Sequence, residues 1–188
     1  EMCIRDRDTV VTGDPSIIRS AEKLVLPGVG AFGDAAALLR RNELDKLIRE
    51  EASTGKSLLG ICLGMQLLFD YSLEYGQHEG LGLIPGSVRP IGDYIPQGYK
   101  IPHIGWNALR FPAGKPVSPL FRHIREGDCV YFVHSFCGAE CQESVIASAE
   151  YGAGLTAAVA HENVYGVQFH PEKSGDVGLN ILRAFCAL

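Results

Sequence analysis

An α/β fold with one mixed sheet and helices on its faces is what this sequence predicts, and three observations point there. In the first third of the chain, short apolar runs alternate with helical periodicity, the order that builds parallel strands. From Gly80 onward, strand-like runs cluster with little helix between them, which adds antiparallel strands. Between the two lies SLLGICLGMQLLF, Ser57 to Phe69, where a buried strand turns into a helix at a cysteine.

The elements follow in order. The first seven residues, EMCIRDR, are mostly charged and lead abruptly into DTVVTGD; we read them as a non-native head and the domain as residues 8–188. Thr9 to Thr12 is a strand candidate, Pro15 to Ala21 a helical turn, and Lys23 to Leu26 a strand that runs into PGVGAFG. Ala31 to Ala52 carries apolar residues at Ala36, Leu39, Leu44, Leu47 and Ile48, near the helical period. Asn42 is placed to break that helix in two, and Gly55 to stop it. Ser57 to Ile61 is the next strand, and Leu63 to Phe69 the start of a helix.

Gly80 to Pro119 is rich in glycine and proline, with strand candidates at Ser87 to Ile91 and Trp106 to Phe111. Leu120 to Ile124 predicts a helical turn. Cys129 to Val133, Ser144 to Glu150, Thr156 to Ala160 and Tyr165 to Phe169 predict strands. Gly175 to Leu188 predicts a closing helix whose apolar face is Val177, Ile181, Leu182, Phe185 and Leu188.

Composition narrows the function. The chain has 188 residues, enough for one domain, and 46% hydrophobic content fits a globular core. A net charge of -5 with no Lys/Arg cluster argues against nucleic-acid binding. No apolar stretch is long enough to span a bilayer. The six cysteines show no C-x-x-C pair and no disulfide-like spacing, so a reduced, cytoplasmic setting is expected. Cys137 and Cys141 lack a second ligand pair, so no metal is expected.

Cys62 has Gly60 and Gly64 two residues away on either side, the G-x-nucleophile-x-G layout of a nucleophile elbow with cysteine in place of serine. Glycine lets the strand and helix pass closely where a Cβ would clash, and a helix N-terminus behind the sulfur favours thiolate. The same pattern also fits a small buried cysteine at an ordinary turn. A nucleophile needs a base, and the base needs an orienting group. Of six histidines, only His170 offers both. It ends the strand candidate VYGVQF, and Glu172 follows two residues later, behind a Pro171 that stiffens the turn. At the carboxyl edge of the sheet, His170 can face the elbow.

GICLGMQLLF together with VQFHPEKSG resembles the class I (triad) glutamine amidotransferases. PGVGAF, PHIGWN, VYFVHSF and HPEKSG together resemble the glutaminase subunits of imidazole glycerol phosphate synthase. The likeness runs from about Asp8 to the C-terminus. It implies that Cys62 attacks the glutamine carboxamide, that His170 moves the protons, and that Glu172 orients His170. It implies an oxyanion hole from the N–H of Leu63 and an N–H near Val29 or Gly30, where the glycine-flanked loop can flip. It implies substrate contacts from Gln66, Glu74, His134, Ser135 and Phe136, and no cofactor. It further implies a heterodimer with a (β/α)8-barrel cyclase subunit that receives ammonia, docked on Trp106, Asn107, Tyr131 and Lys173.

One departure is visible. Family members begin with a strand and helix bearing an Asp-Tyr-Gly-x-Gly-Asn-like motif, which this sequence lacks. The expectation is a chain without the family's first strand and helix, and with it a marginally stable product with unpaired strand groups. Three other readings compete: a class I amidotransferase of another pathway, a Cys-His hydrolase of γ-glutamyl peptides with no partner, and a subunit that binds its cyclase without doing chemistry.

Overall fold

The structure, a computed structural model, describes residues 8–188. The head assigned to residues 1–7 lies outside the described residues. In chain order the elements are α1 (Pro15–Ser20), β1 (Lys23–Gly28), α2 (Phe32–Arg41), α3 (Leu44–Ser53), β2 (Ser57–Cys62), α4 (Leu63–Leu67), β3 (Phe69–Ser72), β4 (His78–Glu79), β5 (Ile84–Pro90), β6 (His103–Arg110), β7 (Cys129–His134), β8 (Phe136–Ala139), β9 (Val145–Glu150), β10 (Gly154–His161), β11 (Val164–Val167) and α5 (Gly175–Cys186). Short 3-10 turns lie at Ile91–Asp93, Pro119–Phe121 and Pro171–Lys173.

Seven strands form the main sheet in the order β1-β2-β11-β10-β9-β6-β7. The pairs β1–β2 and β2–β11 are parallel, and all later pairs are antiparallel. The mixed sheet expected from the alternation of elements is therefore present. A second sheet, β4-β3-β5-β8, packs beside it. Gly28 pairs with Cys62, and Ile61 with Val167. The carboxyl ends of the three parallel strands thus lie side by side, and that edge carries the site.

Strand β2 alternates its burden between the two faces. Leu59 and Ile61 join Phe132, Phe169, Ile181, Leu182 and Phe185 on the α5 side. Leu58 joins Leu63, Met65, Phe69 and Ile84 on the side of α2 and α3. Burial of each large side chain contributes roughly 1.5–3 kcal/mol. The predicted apolar face of α5 is mostly inward, with Ile181, Leu182 and Phe185 buried; Leu188 is exposed.

Asp14 caps α1 by accepting from the Ser16 N–H at 2.8 Å, with Pro15 in the first turn. The long helix breaks where Asn42 suggested, and Glu43 takes a left-handed φ of 56° at the joint. Two expectations fail. Thr9 to Thr12 forms no strand and its residues are largely exposed; β-branched residues alone do not make a strand without a neighbour to pair with. The elbow helix stops at Leu67, not Phe69, because Phe69 turns into β3 and pairs with Ile84 of β5. Strands β3, β4 and β8 were not foreseen. Strand β1 pairs with β2 on one side, and among the described residues no strand lies on its other side.

Candidate active site

Cys62 sits where β2 becomes α4, with φ 54° and ψ −112°, a conformation that L residues rarely adopt. The glycines around it are sterically required. A Cβ on Gly60 would lie 2.6 Å from the Gly64 carbonyl oxygen, and one on Gly64 would overlap the Leu26 carbonyl oxygen outright. Gly28, at the end of β1, packs on the same turn: a Cβ there would come within 3.2 Å of the Gly64 nitrogen.

The thiol departs from expectation in one respect. Burial is the largest influence and pushes its pKa up, with Glu172 adding to the rise. The Leu63 N–H, Lys173 and the Gln168 amide oppose it without overcoming it. Burial thus works against the thiolate that the helix N-terminus behind the sulfur favours, and α4 spans only five residues.

His170 is buried just beyond β11, and its Nδ1 lies 2.6 Å from Glu172 Oε1. A carboxylate can only accept here, so Nδ1 carries a hydrogen and Nε2 is the ring nitrogen left free for the thiol. The turn holding the imidazole is braced twice by Ser174, which the sequence reading missed. Its hydroxyl donates to the His170 carbonyl at 2.6 Å and accepts from the Tyr131 N–H at 3.0 Å. No hydrogen bond joins His170 to Cys62 among the described residues; the recorded side-chain partner of the sulfur is Gln168 Nε2 at 3.8 Å.

Gln66 is buried, and its Nε2 donates to the Phe136 carbonyl at 3.2 Å and to Gln168 Oε1 at 3.0 Å. Glu74 accepts from the Phe32 N–H at 2.6 Å, capping the first turn of α2. Val29 is 82% exposed, and Gly30 has a φ of 99°. His134, Ser135 and Phe136 run from β7 into β8, and the Phe136 carbonyl meets Gln66 of the elbow helix.

A second buried histidine, His103, was also unforeseen as a site neighbour. Its Nδ1 meets His134 Nε2 at 2.9 Å, and its Nε2 meets Asn107 Oδ1 at 2.7 Å. His134 Nδ1 donates to the Phe136 carbonyl at 2.7 Å. Asn107 Nδ2 donates to the Glu150 carbonyl at 2.9 Å, which leaves its oxygen facing His103. These contacts need three ring hydrogens, one more than two neutral imidazoles carry. Burial opposes the extra proton: it lowers both histidines, His134 to about 4.

The four residues expected to dock a partner separate into two kinds. Trp106 is 55% exposed and rests edge-on against Tyr131, its cross-strand neighbour, at 6.0 Å. Lys173 is exposed beside the histidine turn. Asn107 instead spends its side chain inside, on His103 and Glu150. The simplest sequence signal for Gln168 was its position two residues before His170, on the same side of an extended segment.

A profile of the glutamine amidotransferase class-I family matches residues 11–187. The chain belongs to the class-I glutamine amidotransferase family. Among curated members of that family, it is 44% identical over 181 residues to an imidazole glycerol phosphate synthase subunit HisH of Oceanobacillus iheyensis, covering 96% of this chain and 87% of the relative. The protein of the same name from Wolinella succinogenes is 48% identical over 177 residues, covering 93% and 85%. Two solved structures share the amidotransferase fold. One is a glutamine amidotransferase with a TM-score of 0.68 and 19% identity, covering 93% of this chain and 85% of that one. The other is PurLQS from Thermotoga maritima with a TM-score of 0.65 and 22% identity, covering 88% and 79%. Among the described residues no helix is long and apolar enough to cross a membrane, and no group of three or more His, Cys, Asp or Glu side chains gathers as a metal site.

Proposed function

We propose that this amidotransferase is the glutaminase subunit of an imidazole glycerol phosphate synthase, working in histidine biosynthesis. The observation that carries the reading is the placement of a strained elbow cysteine and a carboxylate-held histidine on one sheet edge, in a chain with HisH relatives over nearly its whole length.

In this reading His170 Nε2 takes the Cys62 proton as the sulfur attacks the glutamine amide carbon. The carbonyl oxygen becomes an oxyanion, held by the Leu63 N–H and by an N–H of Val29 or Gly30; such donors are worth about 3–4 kcal/mol each in related chemistry. The C–N bond then breaks, and the departing nitrogen takes the proton from His170, leaving ammonia and a γ-glutamyl thioester. Water attacks the thioester and gives its proton to His170. Collapse returns the thiol and releases glutamate. Glu172 keeps Nδ1 protonated throughout, so that Nε2 is the working nitrogen. In this sequence the proton leaves the sulfur as the new S–C bond forms, so burial of the thiol does not block the attack.

Gln66, the 134–136 segment and one oxygen of Glu74 are assigned to the glutamine substrate, the last to its α-amino group. Ammonia in water near neutral pH is mostly ammonium, which cannot attack an electrophile, so the product has to pass directly to a synthase. We assign that role to a (β/α)8-barrel cyclase subunit docked over Trp106, Tyr131 and Lys173 as a heterodimer. Its substrate is the phosphoribulosyl-formimino carboxamide ribonucleotide, and the products are imidazole glycerol phosphate and an aminoimidazole carboxamide ribonucleotide.

The test is glutamate release by the purified chain, alone and with a cyclase subunit carrying its ribonucleotide. The expected outcome is slow hydrolysis alone, a large rise on assembly, and none from Cys62→Ala. Fast release without the partner, or release of glutamate from γ-glutamyl peptides, would contradict the assignment.

A further inference from the structure

The sulfur of Cys62 has a neighbour that the triad does not use. Gln168 is fully buried, and its backbone N–H is spent on the Ala157 carbonyl at 2.8 Å. Its side chain lies between Gln66 and Cys62.

Which end of that carboxamide faces the sulfur follows from its surroundings. The Phe136 carbonyl can only accept, so the Gln66 atom 3.2 Å from it is the amide nitrogen. The same nitrogen lies 3.0 Å from the Gln168 side chain, so the Gln168 atom there is the oxygen. The Gln168 NH2 is then the end directed at Cys62. The Phe136 carbonyl cannot drift away, because it also accepts from His134 Nδ1 at 2.7 Å. The donor is thus locked from behind, in a site that excludes most water.

Burial works against the negative charge that develops on the sulfur as its proton leaves during the attack on glutamine, and against the thiolate that leaves when the thioester breaks down. A fixed amide hydrogen aimed at the sulfur counters this, since a donor to the charged form favours that form. Preorganised donors of this kind cost no reorganisation during reaction. We propose that Gln168 is a further catalytic residue, whose amide donates to the Cys62 sulfur and stabilises its developing negative charge. The assignment rests on Cys62 being the nucleophile.

The test is the pH dependence of Cys62 alkylation by iodoacetamide in the full chain, read by peptide mass spectrometry so that the other cysteines do not contribute. Gln168→Met keeps length and removes the donor. Its alkylation midpoint is expected to rise by about half a unit to one unit, given the long N–H···S contact. Gln168→Glu, nearly the same shape but with no hydrogen to give, is expected to rise further. An unchanged midpoint in both, with native thermal unfolding, overturns the proposal. A measurement on the unsubstituted protein covers the case in which the variants do not fold. The side-chain amide resonances of Gln168 should titrate with the Cys62 midpoint and stop doing so in Cys62→Ala; invariance across that range also overturns it. Glutamine hydrolysis is measured separately, so failure here is distinguishable from failure of the glutaminase assignment.

Discussion

The backbone N–H of His170 donates to the carbonyl of Tyr131 at 2.9 Å. Strand β7 therefore carries, on one residue, a ring that supports the exposed Trp106 and a carbonyl that fixes the histidine turn. Ser174 adds a second tie between the same two residues. The residue on which Trp106 rests is thus tied twice to the backbone that holds the imidazole.

Trp106→Ala tests the docking face. With more than half of its surface exposed, the indole contributes little to this subunit's own core, and the melting temperature should stay unchanged. Aromatic anchors at interface centres are worth about 2 kcal/mol or more, so calorimetric titration with the cyclase should show a Kd raised by at least about tenfold. Unchanged affinity would remove Trp106 from the interface.

Glu172→Gln leaves the turn in place but no longer holds the hydrogen on His170 Nδ1. By comparison with loss of the orienting acid in other triads, kcat for glutamine hydrolysis should fall by about 10²–10⁴, with KM moving much less. Ser174→Ala removes two braces without touching the imidazole ring, and kcat should fall less. Steady-state assays in the assembled enzyme decide both.

Three glycines should separate steric need from mere presence. Gly64→Ala drives a Cβ into the Leu26 backbone oxygen, and Gly60→Ala brings one to 2.6 Å from that of Gly64. Both contacts are with backbone, so losses of about 3 kcal/mol or more are expected. At Gly154 a Cβ meets nothing within 4 Å, and Gly154→Ala should stay within about 0.5 kcal/mol. Urea unfolding of the three variants measures this.

The buried histidine pair predicts acid sensitivity. His134 titrates near 4 in the fold against 6.5 when free, with burial as the cause. Between those values the unfolded chain binds a proton that the native state refuses. Stability is then full above about pH 6.5 and is lost as pH falls toward 4, by about 2–3 kcal/mol. His103 is lowered as well and shares the loss. Urea midpoints between pH 7 and pH 4.5 should fall in the unsubstituted chain and be flatter in His134→Gln. The upper part of this window avoids carboxylates such as Glu140, whose ionisation Ser87 and Arg89 hold below the usual range.

Much of the layout was legible because it is local. The short buried strand from Ser57 to Ile61, the apolar face of α5 and the break at Asn42 follow from local apolar patterning and turn chemistry. Cys62, His170 and Glu172 were legible because each sits beside a conformational marker: paired glycines, a strand end, and a proline. What was missed depends on contacts distant in sequence. Strand β3 forms because β5 is there to pair with it. Gln168 matters because Gln66, on another element, turns its amide. His103 is a site neighbour only through cross-strand pairing with His134. The state of the sulfur shows the same limit: the helix terminus that favours thiolate is visible in sequence, but the burial that works against it is not.

The Cys62 assignment requires covalent chemistry at one sulfur. The most direct measurement is mass spectrometry of the assembled enzyme, quenched in acid during turnover of glutamine. A γ-glutamyl group is expected on the peptide containing Cys62, on no other cysteine, and absent from Cys62→Ala, which also stops glutamate release. Turnover that persists in Cys62→Ala, or an adduct on a different cysteine, would contradict it.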